Sequence, residues 1–152
     1  MIRRAEIKDV DKILDLLHQV LKVHHDIRPD IFLENGSKYT KEELVDIIKN
    51  NKKTIFVYDD NGVLGYAICD ENDFTNTSNT NPIKTLYIDD FVVDEKNRGN
   101  HIGTTIYSYV KEYAKNNGFF NITLNVWEGN DAIKFYKKVG LKIQKYGMEE
   151  VL

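Results

Sequence analysis

The sequence predicts an α+β fold, or α/β in a looser classification, in a single domain over residues 1–152. Apolar runs with strand-like alternation and longer runs with helical spacing follow one another in the order β-α-α-β-β-β-α-β-α-β. The length suits one hydrophobic core, and no repeat or shift in composition marks a domain boundary. Asn61-Gly62 separates two adjacent strand patterns, which is typical of a tight hairpin.

The amino-terminal elements carry recognisable start signals. A strand is predicted over residues 2–7, followed by a helix from Val10 with Asp9 as a suitable cap. Thr40 and Glu43 have the spacing of a capping box, so a second helix should begin there.

The remaining elements follow from β-branched content, apolar spacing and glycine positions. Strands are predicted over 54–58, 63–69, 86–93 and 122–126, a helix from Ile102 to about Gly118, and a last helix over 132–139 that Gly140 closes. The polar segment 71–82 is predicted to be a mobile loop, and residues 141–152 should form one or two closing strands.

Composition excludes several classes of protein. Hydrophobic residues make up 41% of the chain, charged residues 30%, and the net charge is −3, which offers no basic surface for nucleic acid. Cys69 is the only cysteine, so an intrachain disulfide and a cysteine metal cluster are both impossible. No segment resembles a membrane span or a signal peptide. We therefore expect a cytoplasmic protein without nucleic-acid or membrane partners.

A metal site is not expected either. His24 and His25 are adjacent, so they cannot share one helical face, and no matching ligand cluster appears elsewhere in the sequence.

The segment 91–104 is the most informative part of the sequence. An apolar strand pattern ends in a polar loop, and a helical pattern begins at once. The first turn of such a helix offers unpaired backbone N–H groups and the positive end of the helix dipole, which suit a phosphate. The loop has neither a P-loop nor a complete dinucleotide signature. Taken alone, it could equally be a structural turn.

Two motifs together resemble the Gcn5-related N-acetyltransferase (GNAT) family. The first is Arg98-Gly99-Asn100-His101-Ile102-Gly103, which is similar to the family's Gln/Arg-x-x-Gly-x-Gly/Ala pattern. The second runs from Asn125 through Asn130, Ala132 and Tyr136 to Gly140. Their order and spacing match, and the opening Ile2-Arg3-Arg4-Ala5 also looks like the family, so the resemblance covers nearly the whole chain.

The resemblance implies a mixed, mostly antiparallel central sheet flanked by about four helices, with a V-shaped gap between the fourth and fifth strands. It also implies acetyl-CoA as co-substrate, without a metal, and a possible homodimer. The implied coenzyme-binding residues are Phe91, Val92, Val93, Arg98, Gly99, Asn100, His101, Ile102, Gly103, Thr104, Asn125, Asn130 and Phe135. His101 stands where the family often has glycine, and we expect a helix-like backbone there with only the side chain differing.

An acetyl transfer needs a base for the amine and an acid for the leaving thiolate. Tyr136 matches the family tyrosine that protonates the coenzyme sulfur, although its helical spacing alone would also suit a core aromatic. Asp89 aligns with the first acid of a similar Leu-Glu-Asp-Phe-Phe-Val run in polyamine acetyltransferases. We expect Asp89 to act as base through water, with a pKa raised by partial burial. Because adjacent strand residues face opposite sides, Asp90 should not share that role. Both acids could instead serve only in ion pairs.

The expected function is transfer of an acetyl group from acetyl-CoA to a primary amine by direct attack. The loops 24–39 and 71–82 are expected to form walls of the acceptor pocket. The acidic balance favours a cationic amine such as a polyamine, while aminoglycosides, amino acids and peptides stay open. Two rival hypotheses remain: a non-catalytic acyl-CoA-binding or sensing module of the same fold, and an interaction protein whose glycine-containing loop is purely structural.

Overall fold

A computed structural model describes all residues of the chain, 1–152. The strands are β1 (Ile2–Arg4), β2 (Thr54–Asp59), β3 (Val63–Asp73), β4 (Lys84–Val93) and β5 (Asn121–Thr123). The helices are α1 (Val10–Ile27), α2 (Lys41–Lys49), α3 (Ile102–Asn116) and α4 (Ala132–Lys138). The mixed α+β class is therefore confirmed.

The five strands form one sheet in the order β1-β2-β3-β4-β5. The first three pairings are antiparallel, and only β4 and β5 run parallel. The tight turn between β2 and β3 has positive φ at both Asn61 and Gly62, as the Asn-Gly pair predicts.

Two hydrophobic clusters cover the two faces of this sheet. Ile13, Leu17 and Leu44 of α1 and α2 pack on one face against Val57 and other β-strand residues. On the opposite face, α3 packs on Phe56, Leu86 and Ile88, with α4 along the margin of that cluster. Both faces of β4 are therefore covered over part of its length.

The gap between β4 and β5 agrees with the expected V. Parallel pairing is limited to Thr85–Tyr87 against Asn121–Thr123, whereas β4 continues to Val93. The β5-facing edge of β4 has no partner strand from Ile88 onward. The sheet thus opens toward the carboxyl end of β4.

A β-bulge interrupts β4 at the open end of this gap. Ile68 of β3 pairs with Asp90, and its neighbour Cys69 pairs with Ile88, so Asp89 is the extra residue. Such an insertion breaks the alternation of side chains along the strand. The expectation that Asp89 and Asp90 face opposite sides is consequently wrong.

Several predicted boundaries are also wrong. Segment 71–82 contains the end of β3, because Glu71 to Asp73 pair with Leu86 to Lys84, so the loop covers residues 74–83. Asp9 precedes α1 but does not cap it, since its carboxylate accepts hydrogen bonds from Arg3 and the Glu6 N–H. The capping box of Thr40 and Glu43 is confirmed.

Residues 141–152 contain no strand, contrary to the prediction. Apolar tail residues such as Ile143 and Met148 are exposed, and no strand pairs with the outer edge of β5. A strand needs an adjacent strand to satisfy its backbone groups, and a three-residue edge offers few. No helix in the structure combines the length and apolar character that a membrane span requires.

Candidate active site

A cleft of about 1930 Å³ lies at the gap between β4 and β5. Its walls come from the loop after α1, from β4, from the segment after β5, from α4 and from the carboxyl-terminal tail. Asp89, Asp90 and Tyr136 all line it, as do Tyr87, Asn125 and Trp127. The fold therefore brings the two proposed catalytic residues, Asp89 and Tyr136, into one space.

The bulge directs Asp89 and Asp90 to the same side of the sheet. Asp90 accepts a hydrogen bond from Tyr66, which belongs to the cluster beneath α1. Asp89 accepts one from Tyr39, which packs against the same cluster. The preceding residue, Ile88, belongs to the cluster under α3. Two carboxylates thus enter the cleft side by side.

Asp89 is held by three groups. Tyr39 donates its hydroxyl to Oδ2, and the Lys38 Nζ lies 3.1 Å from Oδ1, while Lys53 Nζ lies 3.9 Å from Oδ2. Burial alone would raise the pKa of Asp89, but the hydrogen bond from Tyr39 and the charge of Lys38 outweigh it, so the pKa is lowered. The expectation of a raised pKa for Asp89 is therefore wrong.

Asp90 has the opposite environment. Only 8% of the residue is exposed, and its carboxylate accepts a hydrogen bond from the Tyr66 hydroxyl at 2.5 Å. Burial raises the pKa of Asp90 above its ordinary value, although the hydrogen bond from Tyr66 opposes the shift. Of the two carboxyl groups, Asp90 is the stronger proton acceptor.

Tyr136 lies on α4 beside the exposed edge of β4. Its ring is 6.2 Å from that of Phe91 and 5.7 Å from that of Phe135, between centroids. Burial and then the charge of Asp90 raise the pKa of Tyr136 to about 12. The phenol accordingly keeps its proton at neutral pH and can donate it.

The loop from Arg98 to Thr104 forms a second site at the start of α3. The backbone N–H groups of these seven residues donate to no protein acceptor. The φ angles of Gly99 and His101 are +87° and +62°, in the left-handed region. The Arg98 Nε donates to the Val93 carbonyl at 3.2 Å and holds the loop against the end of β4. An anion could be bound by several of these amides at once.

The backbone of His101 is therefore not helix-like, contrary to the expectation. It precedes the first residue of α3 with φ +62° and ψ +13°, and its side chain is exposed. A side chain in this conformation is strained relative to glycine, although histidine tolerates it better than most residues. The glycine that the family often has at this position suits this backbone.

Gly103 has a packing requirement. A Cβ atom at this position would lie 3.2 Å from the ring of Phe135. The first turn of α3 thus approaches α4 closely, and Phe135 is placed between the loop and Tyr136. Ile102 is buried in the cluster under α3, and Thr104 is exposed at the same helix start.

The other expected coenzyme residues do not all lie in the two sites. Phe91, Val92 and Val93 form the β4 edge between the cleft and the loop, and Asn125 donates to the Tyr87 hydroxyl at 3.3 Å inside the cleft. Asn130 lies outside the cleft lining, where its side chain accepts from the Ala132 N–H and supports the turn before α4.

Four residues that contact the acids were not singled out from the sequence: Lys38, Tyr39, Tyr66 and Lys53. Lys38 and Tyr39 lie in the loop assigned to the acceptor wall, 51 and 50 positions before Asp89. Alternation along β3 places Tyr66 in the core, but nothing local indicates its partner. These contacts depend on register and on loop path.

The sequence model of the acetyltransferase (GNAT) family matches residues 17–141. A search of curated protein sequences found no match to the chain.

Solved structures align over essentially the full chain. The crystal structure of a mutant BH1408 protein from Bacillus halodurans is 30% identical, with a TM-score of 0.93 over 100% of this chain and 99% of that one. Glucosamine-6-phosphate N-acetyltransferase from Arabidopsis thaliana is 20% identical, with a TM-score of 0.73 over 99% and 97%.

An aminoglycoside acetyltransferase from an uncultured soil metagenomic sample, solved with trehalose, is 18% identical, with a TM-score of 0.71 over 100% and 95%. The likenesses to the Arabidopsis thaliana enzyme and to the aminoglycoside acetyltransferase concern the fold alone. The family match covers most of the chain, and the splayed sheet agrees with it. The chain belongs to the GNAT family of acetyltransferases.

Proposed function

We propose that the protein is an N-acetyltransferase that moves the acetyl group of acetyl-CoA to a primary amine by direct attack. The acceptor is a small molecule, polyamine-like or other, or a peptide. One observation carries the proposal: two carboxyl groups and a protonated phenol share a cleft, and a row of unpaired backbone amides follows the end of β4, the strand that carries both carboxyl groups. Base, acid and anion-binding groups are the components that this reaction needs.

The amides of Arg98 to Thr104 would hold the coenzyme pyrophosphate, because they are unpaired and lie at the positive end of α3. The free edge of β4 at Phe91–Val93 would accept the pantetheine arm through backbone hydrogen bonds. Asn125 and Phe135 would border that arm, and Asn130 would support the turn before α4, the helix that carries Phe135. This arrangement directs the thioester into the gap where Tyr136 lies.

The chemistry divides between the acids and the phenol. The Asp89–Asp90 pair takes a proton from the acceptor ammonium, and the free amine then attacks the thioester carbonyl. We retain Asp89 as the base through water, and its lowered pKa makes Asp90 the alternative. Tyr136 then protonates the departing thiolate, for which a phenol pKa of about 12 keeps the proton available, and the phenolate recovers a proton from the attacking nitrogen as the amide forms.

Asp89→Asn and Asp90→Asn distinguish the two carboxyl groups. Loss of the base should lower kcat/KM by roughly 10²-fold or more and remove the acidic limb of its pH profile. The other variant should keep the limb. A normal limb in both variants would exclude the pair from proton removal.

Calorimetry with acetyl-CoA tests the coenzyme site. Saturable binding supports the proposal, and no binding at several hundred micromolar would overturn it.

A panel of polyamines, aminoglycosides, amino acids and peptides is then assayed for thiol release. Coenzyme binding without release on any amine would favour the non-catalytic acyl-CoA module, and sedimentation of the same samples would detect the possible homodimer.

A further inference from the structure

A lysine of the chain itself lies at the proposed base. Lys38 is in the loop between α1 and α2, and its Nζ donates to two oxygens of one residue, the carboxylate Oδ1 of Asp89 at 3.1 Å and the carbonyl O of Asp89 at 3.0 Å. Its side chain is 44% exposed and lines the cleft. A primary amine is therefore fixed at a carboxylate in the candidate active site.

The position of this amine is the one an external acceptor would need. An ammonium that gives its proton to Asp89, directly or through one water, must come within hydrogen-bonding reach of that carboxylate. Lys38 already meets this geometric condition. Because Tyr136 lines the same cleft, the amine, the carboxylate and the proposed acid all face one space.

We propose that Lys38 is an acceptor in its own right and that the protein acetylates this lysine with acetyl-CoA. This inference rests on the proposed function. The Lys38 ammonium loses one proton to the acidic pair, and the neutral nitrogen attacks the thioester carbonyl. A C–N bond forms and the C–S bond breaks. The thiolate takes a proton from Tyr136, and the attacking nitrogen gives its second proton back to the Tyr136 oxygen. The products are N-acetyl-Lys38, coenzyme A and the proton held by the acidic pair.

Acetylation would change the cleft. An acetylated lysine carries no charge, so its ion pair with Asp89 is lost. Asp89 would keep the hydrogen bond from Tyr39 and the more distant charge of Lys53. The loop around Lys38 would lose its ionic contact with β4 and keep only the Tyr39 hydrogen bond, so the carboxylate would become more open to an external amine. The modification would thus convert a closed acceptor site into an open one.

Other lysines provide internal comparisons. Lys53 also approaches Asp89, but its Nζ pairs with Asp70 at 2.6 Å, its side chain is 20% exposed, and it does not line the cleft. Lys52 is exposed and pairs with Asp46 on α2, away from the cleft. The acetylation rate of Lys52 therefore measures the uncatalysed background. The rate of Lys53 tests whether proximity to Asp89 alone is sufficient for acetylation.

The test is peptide mass spectrometry on full-length protein incubated with acetyl-CoA. We expect Lys38 to be acetylated at least tenfold faster than Lys52 or Lys53, at a rate per molecule that does not change with protein concentration. Tyr136→Phe should slow the acetylation of Lys38 and leave the acetylation rate of Lys52 unchanged. If external amines are acetylated while Lys38 reacts no faster than Lys52, the inference fails and the proposed function survives. If no amine reacts and no thiol is released, the proposed function itself fails.

A second readout needs no acetyl-CoA. Lys38→Gln imitates the uncharged acetylated state, and Lys38→Arg keeps the charge. Chymotrypsin should cleave the loop near Phe32, Leu33 or Tyr39 several-fold faster in Lys38→Gln than in Lys38→Arg. Equal cleavage rates would refute the release of the loop by acetylation.

Discussion

The hydroxyl of Tyr66 donates a 2.5 Å hydrogen bond to Oδ2 of Asp90, and both side chains are buried. This contact joins the two central strands, β3 and β4, directly beneath the cleft. The acceptor is a carboxyl group whose pKa is raised by burial. The protein therefore holds a carboxyl group in a place where its ionised form is disfavoured.

Asp90→Asn should stabilise the protein at high pH. The pKa of Asp90 is higher in the folded than in the unfolded chain, so ionisation costs stability as the pH rises through the folded value. Relative to wild type, the variant should unfold at higher temperature at pH 8, and the gain should shrink as the pH falls toward about 4, the unfolded value. Thermal unfolding at four pH values measures this.

The exposed Asp60 in the turn between β2 and β3 provides the control. Asp60→Asn should change the free energy of unfolding by less than about 0.5 kcal/mol, as surface substitutions usually do. A gain for Asp90→Asn that is independent of pH would contradict the buried, destabilised carboxylate.

His101→Gly should raise stability. Glycine removes the strain of the left-handed backbone at φ +62°, and we expect a gain of about 1 kcal/mol, or roughly 2–4 °C in Tm for a protein of this size. Ser108→Gly, on the exposed face of α3, should instead lose roughly 0.5 kcal/mol because glycine weakens a helix interior. Chemical denaturation of both variants measures whether each substitution raises or lowers the free energy of unfolding.

The same His101→Gly variant reports on the coenzyme. If the imidazole only tolerates its position, acetyl-CoA affinity should stay within about twofold of wild type, since the amides would hold the pyrophosphate. A tenfold loss measured by calorimetry would show instead that the side chain binds the coenzyme.

Gly103→Val should disturb both stability and coenzyme binding. Its Cβ would approach the Phe135 ring to 3.2 Å, and the added methyl groups would displace the ring, at a cost of about 1–3 kcal/mol. Ser108→Val, exposed on the same helix, should stay within about 0.5 kcal/mol. Because Phe135→Leu makes room, the double variant should be more stable than the sum of the single effects. Strict additivity would exclude this contact as the cause.

Tyr136→Phe should lower kcat by roughly 10²-fold with coenzyme affinity within twofold, because only the proton donor is removed. Tyr109→Phe removes the same hydroxyl group at an exposed position of α3, away from the cleft, and should leave kcat unchanged. Steady-state kinetics and calorimetry measure the two effects. An unchanged kcat in Tyr136→Phe would remove the phenol from the acid role.

Local patterns predicted the elements that depend on neighbours in sequence. The Thr40–Glu43 capping box, the Asn61-Gly62 turn and the start of α3 at Ile102 each arise from hydrogen bonds or φ preferences within a few residues. Family resemblance added the sheet and the V-shaped gap. The prediction of closing strands over residues 141–152 was wrong because a strand needs a free sheet edge to pair with. The alternation of residues in the tail carries no information about whether such an edge exists.

Periodicity and turn signals in the sequence predict the fold class, and the resemblance of two motifs to the GNAT family indicates the family and the loop whose amides stay unpaired. The positions and contacts of the two acids, in contrast, depend on the tertiary structure. The bulge at Asp89 arises from the register of β3 against β4, and it brings Asp90 to the same side. The contacts of Lys38 and Tyr39 with Asp89 cross about fifty positions of chain. Register and loop path follow from packing of the whole molecule, so no local pattern could contain them.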